Sequence, residues 1–173
     1  MLVNATEKGG RYVRREPGYM ERVYMQESQP LWRALLMFTG NAEVASDSMS
    51  EAFAQAIARG ESIRDVRAWV WAAGFKIARG EMRGADTLSG EIEAMADLDP
   101  SADHRDDVIA VLTAMQVLPL SQRAAVILHH FAGYSLSEVA KMLGTSRSAV
   151  GVHLFRGRSK LRGQLEERDE EPR

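Results

Sequence analysis

The stretch Leu136–Leu161, LSEVAKMLGTSRSAVGVHLFRGRSKL, limits what this chain can fold into more than any other. Ser135-x-x-Glu138 is a capping box ahead of a helix from Ser137 to Leu143. Gly144 supplies the left-handed backbone that stops this helix, and Ser146 stands where the N-cap of a longer second helix belongs. Val139, Ala140 and Leu143 share one face of the first helix; Val150, Leu154 and Leu161 share one face of the second. The opposite face of the second carries Arg147, Ser148, Arg156, Arg158 and Lys160, and no acid occurs between Thr145 and Gly163. Two short amphipathic helices on so tight a turn form a helix-turn-helix. A basic outer face on its second helix suits the major groove, where arginine grips phosphates or guanine edges.

The remainder reads as helices of the same kind. Pro17-Gly18 precedes a helix from Tyr19 to Thr39 with Tyr24, Ser28, Leu31, Leu35 and Phe38 at the spacing of a buried stripe. Pro30 lies inside it and predicts a kink or a break near Gln29. A second helix runs from Ala42 to Arg59, with Ala45, Met49, Ala52, Phe53 and Ala56 inward and Gly60 as its stop. After a loop over Glu61 to Asp65, a third runs from Val66 to Arg83 with Val66, Val70, Ala73 and Ile77 inward. Beyond Gly84 lie a helix over Val108 to Val117, a break at Pro119, and another helix from Gln122 to Phe131 capped by Ser121. No stretch alternates with period two, so the expected fold is all-α, without a sheet.

Charge divides this run of helices. Residues 84–107 hold eight acids and one arginine, with too little apolar surface to bury, and read as a flexible acidic linker. That surplus explains how a chain with basic faces carries a net charge of only −2. The expected organisation is a loose extension (1–18), a helical domain (19–83), the linker (84–107), a helix-turn-helix domain (108–166) and an acidic tail (167–173). With no cysteine, disulfides and thiolate metal sites are excluded. No apolar run reaches the ~18 residues needed to span a bilayer, and the N-terminus lacks the apolar centre of a secretory signal; a soluble intracellular protein is expected.

Two faces go beyond packing. Asp47 and Glu51 stand one turn apart on the second helix, with Ser50 beside them, either as a solvated acidic edge or as a docking face. On the third helix Trp71, Phe75 and Arg79 follow at i+4, flanked by Arg67, Trp69, Lys76 and Arg83. Aromatics interleaved with cations at helical spacing stack unpaired bases and neutralise their phosphates; the same aromatics at the same spacing also serve as core. Catalysis and metal binding find no support. His129 and His130 are adjacent and point about 100° apart on a helix, His104 and His153 are isolated, and no glycine-rich phosphate loop is present.

Together these residues resemble the extracytoplasmic-function sigma factors, the small two-domain sigma subunits of bacterial RNA polymerase. Asp47-x-x-Ser50-Glu51-x-Phe53 is similar to the family's Asp-x-x-Gln-Glu-x-Phe, and Arg67-Ala68-Trp69-Val70-Trp71 to its Arg-Ala-Trp-Leu-Tyr. Leu118-Pro119 followed by Arg123 is similar to the family's Leu-Pro-x-x-x-Arg-x-Val, with Val126 standing one residue later than that spacing. Ser135-Leu136-Ser137-Glu138-Val139-Ala140, Leu143-Gly144-Thr145-Ser146 and Leu154-Phe155-Arg156-Gly157-Arg158 match the family's helix-turn-helix signatures. The resemblance implies a non-enzymatic initiation factor without metal or small-molecule cofactor. Asp47, Ser50 and Glu51 would dock on the polymerase clamp helices, with a further contact to the flap. Ser62, Ile63, Arg64, Arg67, Trp69, Trp71, Phe75, Lys76 and Arg79 would hold the melted minus-ten strand, with the loop 61–65 as the pocket for an extruded base. Arg147, Ser148, Gly151, Val152, His153, Phe155, Arg156, Arg158 and Lys160 would meet the minus-thirty-five duplex. The linker would thread the polymerase's RNA path, and an anti-sigma protein is an implied partner.

Three positions depart from the family pattern. Ser50 replaces a glutamine, Lys76 replaces an asparagine, and Gly151-Val152-His153 stands where Lys or Arg, Ser and Arg are common. The last removes two DNA cations, leaving His153 in their place. Two other functions fit the residues: a sigma-like mimic that only binds an anti-sigma protein, and a stand-alone helix-turn-helix regulator.

Overall fold

The computed structural model describes residues 16–82 and 105–169, and every regular element among them is helical. The expected N-terminal extension, linker and tail lie outside the described residues, except at their edges. Residues 105–107 already belong to a helix, and 167–169 continue the last one.

Three helices form the N-terminal half: α1 (Tyr19–Thr39), α2 (Ala42–Arg59) and α3 (Val66–Glu81). Asn41 caps α2 by accepting from the Val44 N–H at 2.8 Å, and Asp65 caps α3 through the Ala68 N–H at 3.0 Å. The break expected at Pro30 does not occur; α1 is continuous. The proline removes one hydrogen bond, but Leu31, Ala34, Leu35 and Phe38 just beyond it are completely or almost completely buried. Their burial offsets a local cost of about 3 kcal/mol. The buried stripe of α1 uses Val23 in place of the expected Tyr24 and Ser28; Tyr24 is 46% exposed, its ring edge-on to Phe53.

The C-terminal half comprises α4 (Arg105–Gln116), α5 (Leu120–Val126), α6 (Leu136–Leu143) and α7 (Arg147–Asp169). On α4 Leu112 and Ala114 are buried, whereas Val111 is 44% exposed. Pro119, not Ser121, occupies the N-cap position of α5, whose last turn widens into a π-turn over Ile127–Phe131. Both caps of the helix-turn-helix form. The Ser135 hydroxyl accepts from the Glu138 N–H while the Glu138 carboxylate accepts from Ser135 N–H, and Gly144 takes φ 62°. At Gly157 α7 lies close against α5, since a Cβ there would sit 2.9 Å from Val126 Cγ2.

The halves share one continuous apolar core. At its seam Arg123 is 5% exposed and donates to the Phe38 carbonyl of α1 at 2.7 Å. It also donates to the Gln116 and Leu118 carbonyls at 2.8 and 3.0 Å, and to the Gln116 side chain. Gln116 in turn donates to the Met37 carbonyl at 3.2 Å. Burial pushes the Arg123 guanidinium down to about 10, so it stays charged at neutral pH, its charge spread over carbonyl oxygens.

Candidate nucleic-acid interfaces

The aromatic-cationic helix α3 divides into two faces. Trp71 and Phe75 are 1% and 3% exposed, which corrects the expectation that both lie open to a single strand. The C-terminal half covers Trp71, whose ring the Tyr134 ring meets edge-on at 5.9 Å, whereas Phe75 packs within the N-terminal half on Phe38 of α1 at 5.0 Å. The indole N–H of Trp71 donates to one oxygen of Glu27 while Arg67 donates to the other, both at 2.9 Å. Arg67 also reaches the Ala132 carbonyl at 3.3 Å and lies 4.9 Å over the Tyr134 ring. Arg79 donates to the Ser121 hydroxyl at 3.1 Å. These residues therefore bind the two halves to each other in this structure.

The other face of α3 is open. Trp69 is half-buried beneath the Arg59 guanidinium, 5.3 Å from its ring centre. Beside it lies a recess of about 400 Å³ framed by Ser62, Ile63, Arg64 and Asp65 of the loop, Trp69, and Lys141 and Met142 of α6. A neighbouring groove of about 610 Å³ continues along Gln55, Arg59, Lys76 and Ile77. Lys76 and Arg64 are exposed, whereas Ile63 is buried and forms a wall. Arg59, Lys141 and Tyr134 escaped the sequence reading. Arg59 reads there only as the basic end of α2, and no linear spacing links it to Trp69.

On α2, Asp47, Ser50 and Glu51 are all exposed, with Gln55 donating to Glu51 at 2.7 Å. Their row continues through Ala54 to Ile57, which is 65% exposed. On α7, Arg147, Ser148, Val152, Phe155, Arg156, Arg158 and Lys160 are exposed, and Gly151 and His153 are partly so. Ser146 caps the helix through the Ala149 N–H at 3.1 Å. Below it, His130 has its imidazole held under the ordinary value by burial first, then by His129 and Arg158. It adds no cation at neutral pH. Among the described residues no cluster of metal ligands occurs, and no helix is long and apolar enough to cross a membrane.

Comparison with known proteins agrees with this geometry. Residues 109–161 match the family model of sigma-70 region 4. The chain is 27% identical over 166 residues to the ECF RNA polymerase sigma factor SigM of Mycobacterium tuberculosis, covering 92% of this chain and 81% of that protein. It is 26% identical over 162 residues to SigL of the same organism, covering 88% and 92%. The sigma factor RpoE of Bartonella quintana, solved in complex with the anti-sigma factor NepR, superposes with a TM-score of 0.72 at 18% identity, covering 86% of this chain and 98% of that one. With a region 4 helix-turn-helix, similarity over most of its length and the same all-helical fold, the chain is similar to the extracytoplasmic-function sigma factors of bacterial RNA polymerase.

Proposed function

We propose that this sigma factor divides promoter recognition between its halves, in the cytoplasm where the polymerase works and with no cofactor. Residues 19–83 dock on the polymerase clamp through Asp47, Ser50 and Glu51 and hold the melted minus-ten strand. Residues 108–166 meet the polymerase flap and read the minus-thirty-five duplex through α7. The acidic segment 84–107 runs between them along the RNA path. An anti-sigma protein is a further partner, by analogy with the relative solved bound to one.

The observation that carries this reading is the recess beside Trp69. It offers one accessible aromatic, a guanidinium above it and a loop rim, the set that holds an unstacked base and its phosphate. Trp69, not Trp71, is the stacking residue in this scheme, and Arg59 and Lys76 are its cations. Arg67 is engaged at the seam, so it reaches a strand only when the halves part.

Two measurements test the scheme. Changing Asp47 and Glu51 together to lysine should weaken core-polymerase binding more than a hundredfold through like-charge contact, with the fold intact because both side chains are exposed; unchanged holoenzyme formation would refute the docking face. Trp69→Ala should spare closed-complex formation and impair opening, because stacking is worth about 1–3 kcal/mol per base. A template with a pre-melted bubble should restore it. Nanomolar, sequence-specific duplex binding by the chain without polymerase would instead favour a stand-alone regulator.

A further inference from the structure

The outermost ridge of α7 carries no charge. Val150 and Leu154 are buried against the C-terminal core, and Gly157 touches Val126, which fixes the rotation of the helix. At about 100° per residue, the side directly opposite presents Ser148, Val152, Phe155 and Ser159. All four are exposed, Val152 at 46% and Phe155 at 70%. The cations lie on the two sides of this ridge, Arg147 and Arg158 on one, Arg156 and Lys160 on the other.

A helix about 10–12 Å across fills a major groove about 12 Å wide. Its side rows then face the two phosphate walls and its ridge faces the base edges. Phosphate contacts position the helix; contacts to base edges specify sequence. Guanine is read by arginine or lysine, adenine by asparagine or glutamine, and cytosine by a carboxylate. None of these stands on the ridge. Its apolar pair matches the one apolar group the major groove displays, the thymine C5-methyl, and the flanking cations supply charge complementarity for the duplex.

We propose that Val152 and Phe155 read the upstream promoter element through thymine methyl groups, while Arg147, Arg156, Arg158 and Lys160 hold phosphates on either side. This rests on α7 being the promoter-reading helix, and it assigns Arg156 to the backbone rather than to a guanine edge.

The test uses holoenzyme assembled from the full chain and core polymerase. An upstream duplex is selected from randomised DNA, and each selected thymine is then replaced by uracil, which lacks only the methyl. Wild-type holoenzyme should lose about fourfold in affinity for each contacted methyl, the value of one buried carbon, at one or two positions. Phe155→Ala and Val152→Ala should bind the thymine and uracil duplexes equally. Arg158→Ala should weaken both duplexes alike, keep their ratio, and lower the slope of log affinity against log salt by about 1. Both apolar side chains are exposed, so circular dichroism should show the variants folded; Phe155→Leu should retain part of the thymine preference. A wild-type ratio of one at every thymine overturns the proposal and leaves the ridge to a protein partner, as does a ratio unchanged in Phe155→Ala. If the chain enriches no sequence over core polymerase alone, the sigma reading itself fails and the proposal falls with it.

Discussion

Gly151 and Gly157 on α7 should respond oppositely to alanine. A Cβ at Gly151 meets nothing within 4 Å, so Gly151→Ala should stabilise the chain by up to ~1 kcal/mol through helix propensity. At Gly157 the Cβ would sit 2.9 Å from Val126 Cγ2, a stiff branched side chain that is itself 4% exposed. Overpacking of this kind costs about 1–3 kcal/mol, and Gly157→Ala should be destabilising despite the same gain in propensity. Urea midpoints of the two variants decide the matter; shifts in one direction would mean that α7 is not held as closely to α5 as described. The same closeness explains why a basic helix tolerates a glycine at its centre. Propensity there yields to the packing of two helices.

Among the elements, the cap of α6 is the one whose strength should follow pH. The Ser135 side chain and backbone hydrogen bonds hold the Glu138 carboxyl below its ordinary value of 4.5. Because the folded pKa is the lower one, the cap contributes fully at neutral pH and is lost as pH falls through 4.5 and below. Amide protection at the start of α6, measured against the intrinsic exchange rate at each pH, should therefore fall in mild acid, and Glu138→Gln should remove that dependence. Ser135→Ala should cost about 1 kcal/mol at neutral pH. Protection at α6 that ignores both changes would show the cap to be idle. The π-turn after α5 is a different case. Its residues read as ordinary helix, and the wider turn places His129 so that its ring nitrogen lies 2.7 Å from the Tyr134 carbonyl.

For the whole molecule, the seam between the halves sets the central expectation. Trp71 is sealed by Tyr134, Arg67 is shared between Glu27 and Ala132, and Arg123 bonds across to Phe38. The proposed division of promoter recognition between the halves requires this seam to open on the polymerase. The absence of cysteine makes the test direct: cysteines introduced at Arg33 and Arg162, both exposed, carry a donor and an acceptor dye. Energy transfer should be high in the free chain and fall when core polymerase is added. Equal transfer in both states would mean that the halves travel as one body.

Local signals alone determined most of the helices and all of the helix-turn-helix. Asn41, Gly60, Asp65, Ser135, Gly144 and Ser146 bond or turn within a few residues of themselves, so their effect is written in the linear order. The fixed face of α7 was legible for the same reason, because one period places Val150 and Leu154 inward. That α1 runs unbroken through Pro30 was not legible, since the burial that holds it together comes from the other helices. The split of α3 into a sealed face and an open one was beyond reach from sequence. Trp69 and Trp71 have the same local chemistry, and only the partner above each separates them: Arg59 over one, Tyr134 over the other. Arg123, a motif arginine in the sequence, became a buried cross-link only when folding brought the end of α1 within reach of its guanidinium. Periodicity reports which residues seek burial; which surface buries them is settled by contacts between residues far apart in the chain.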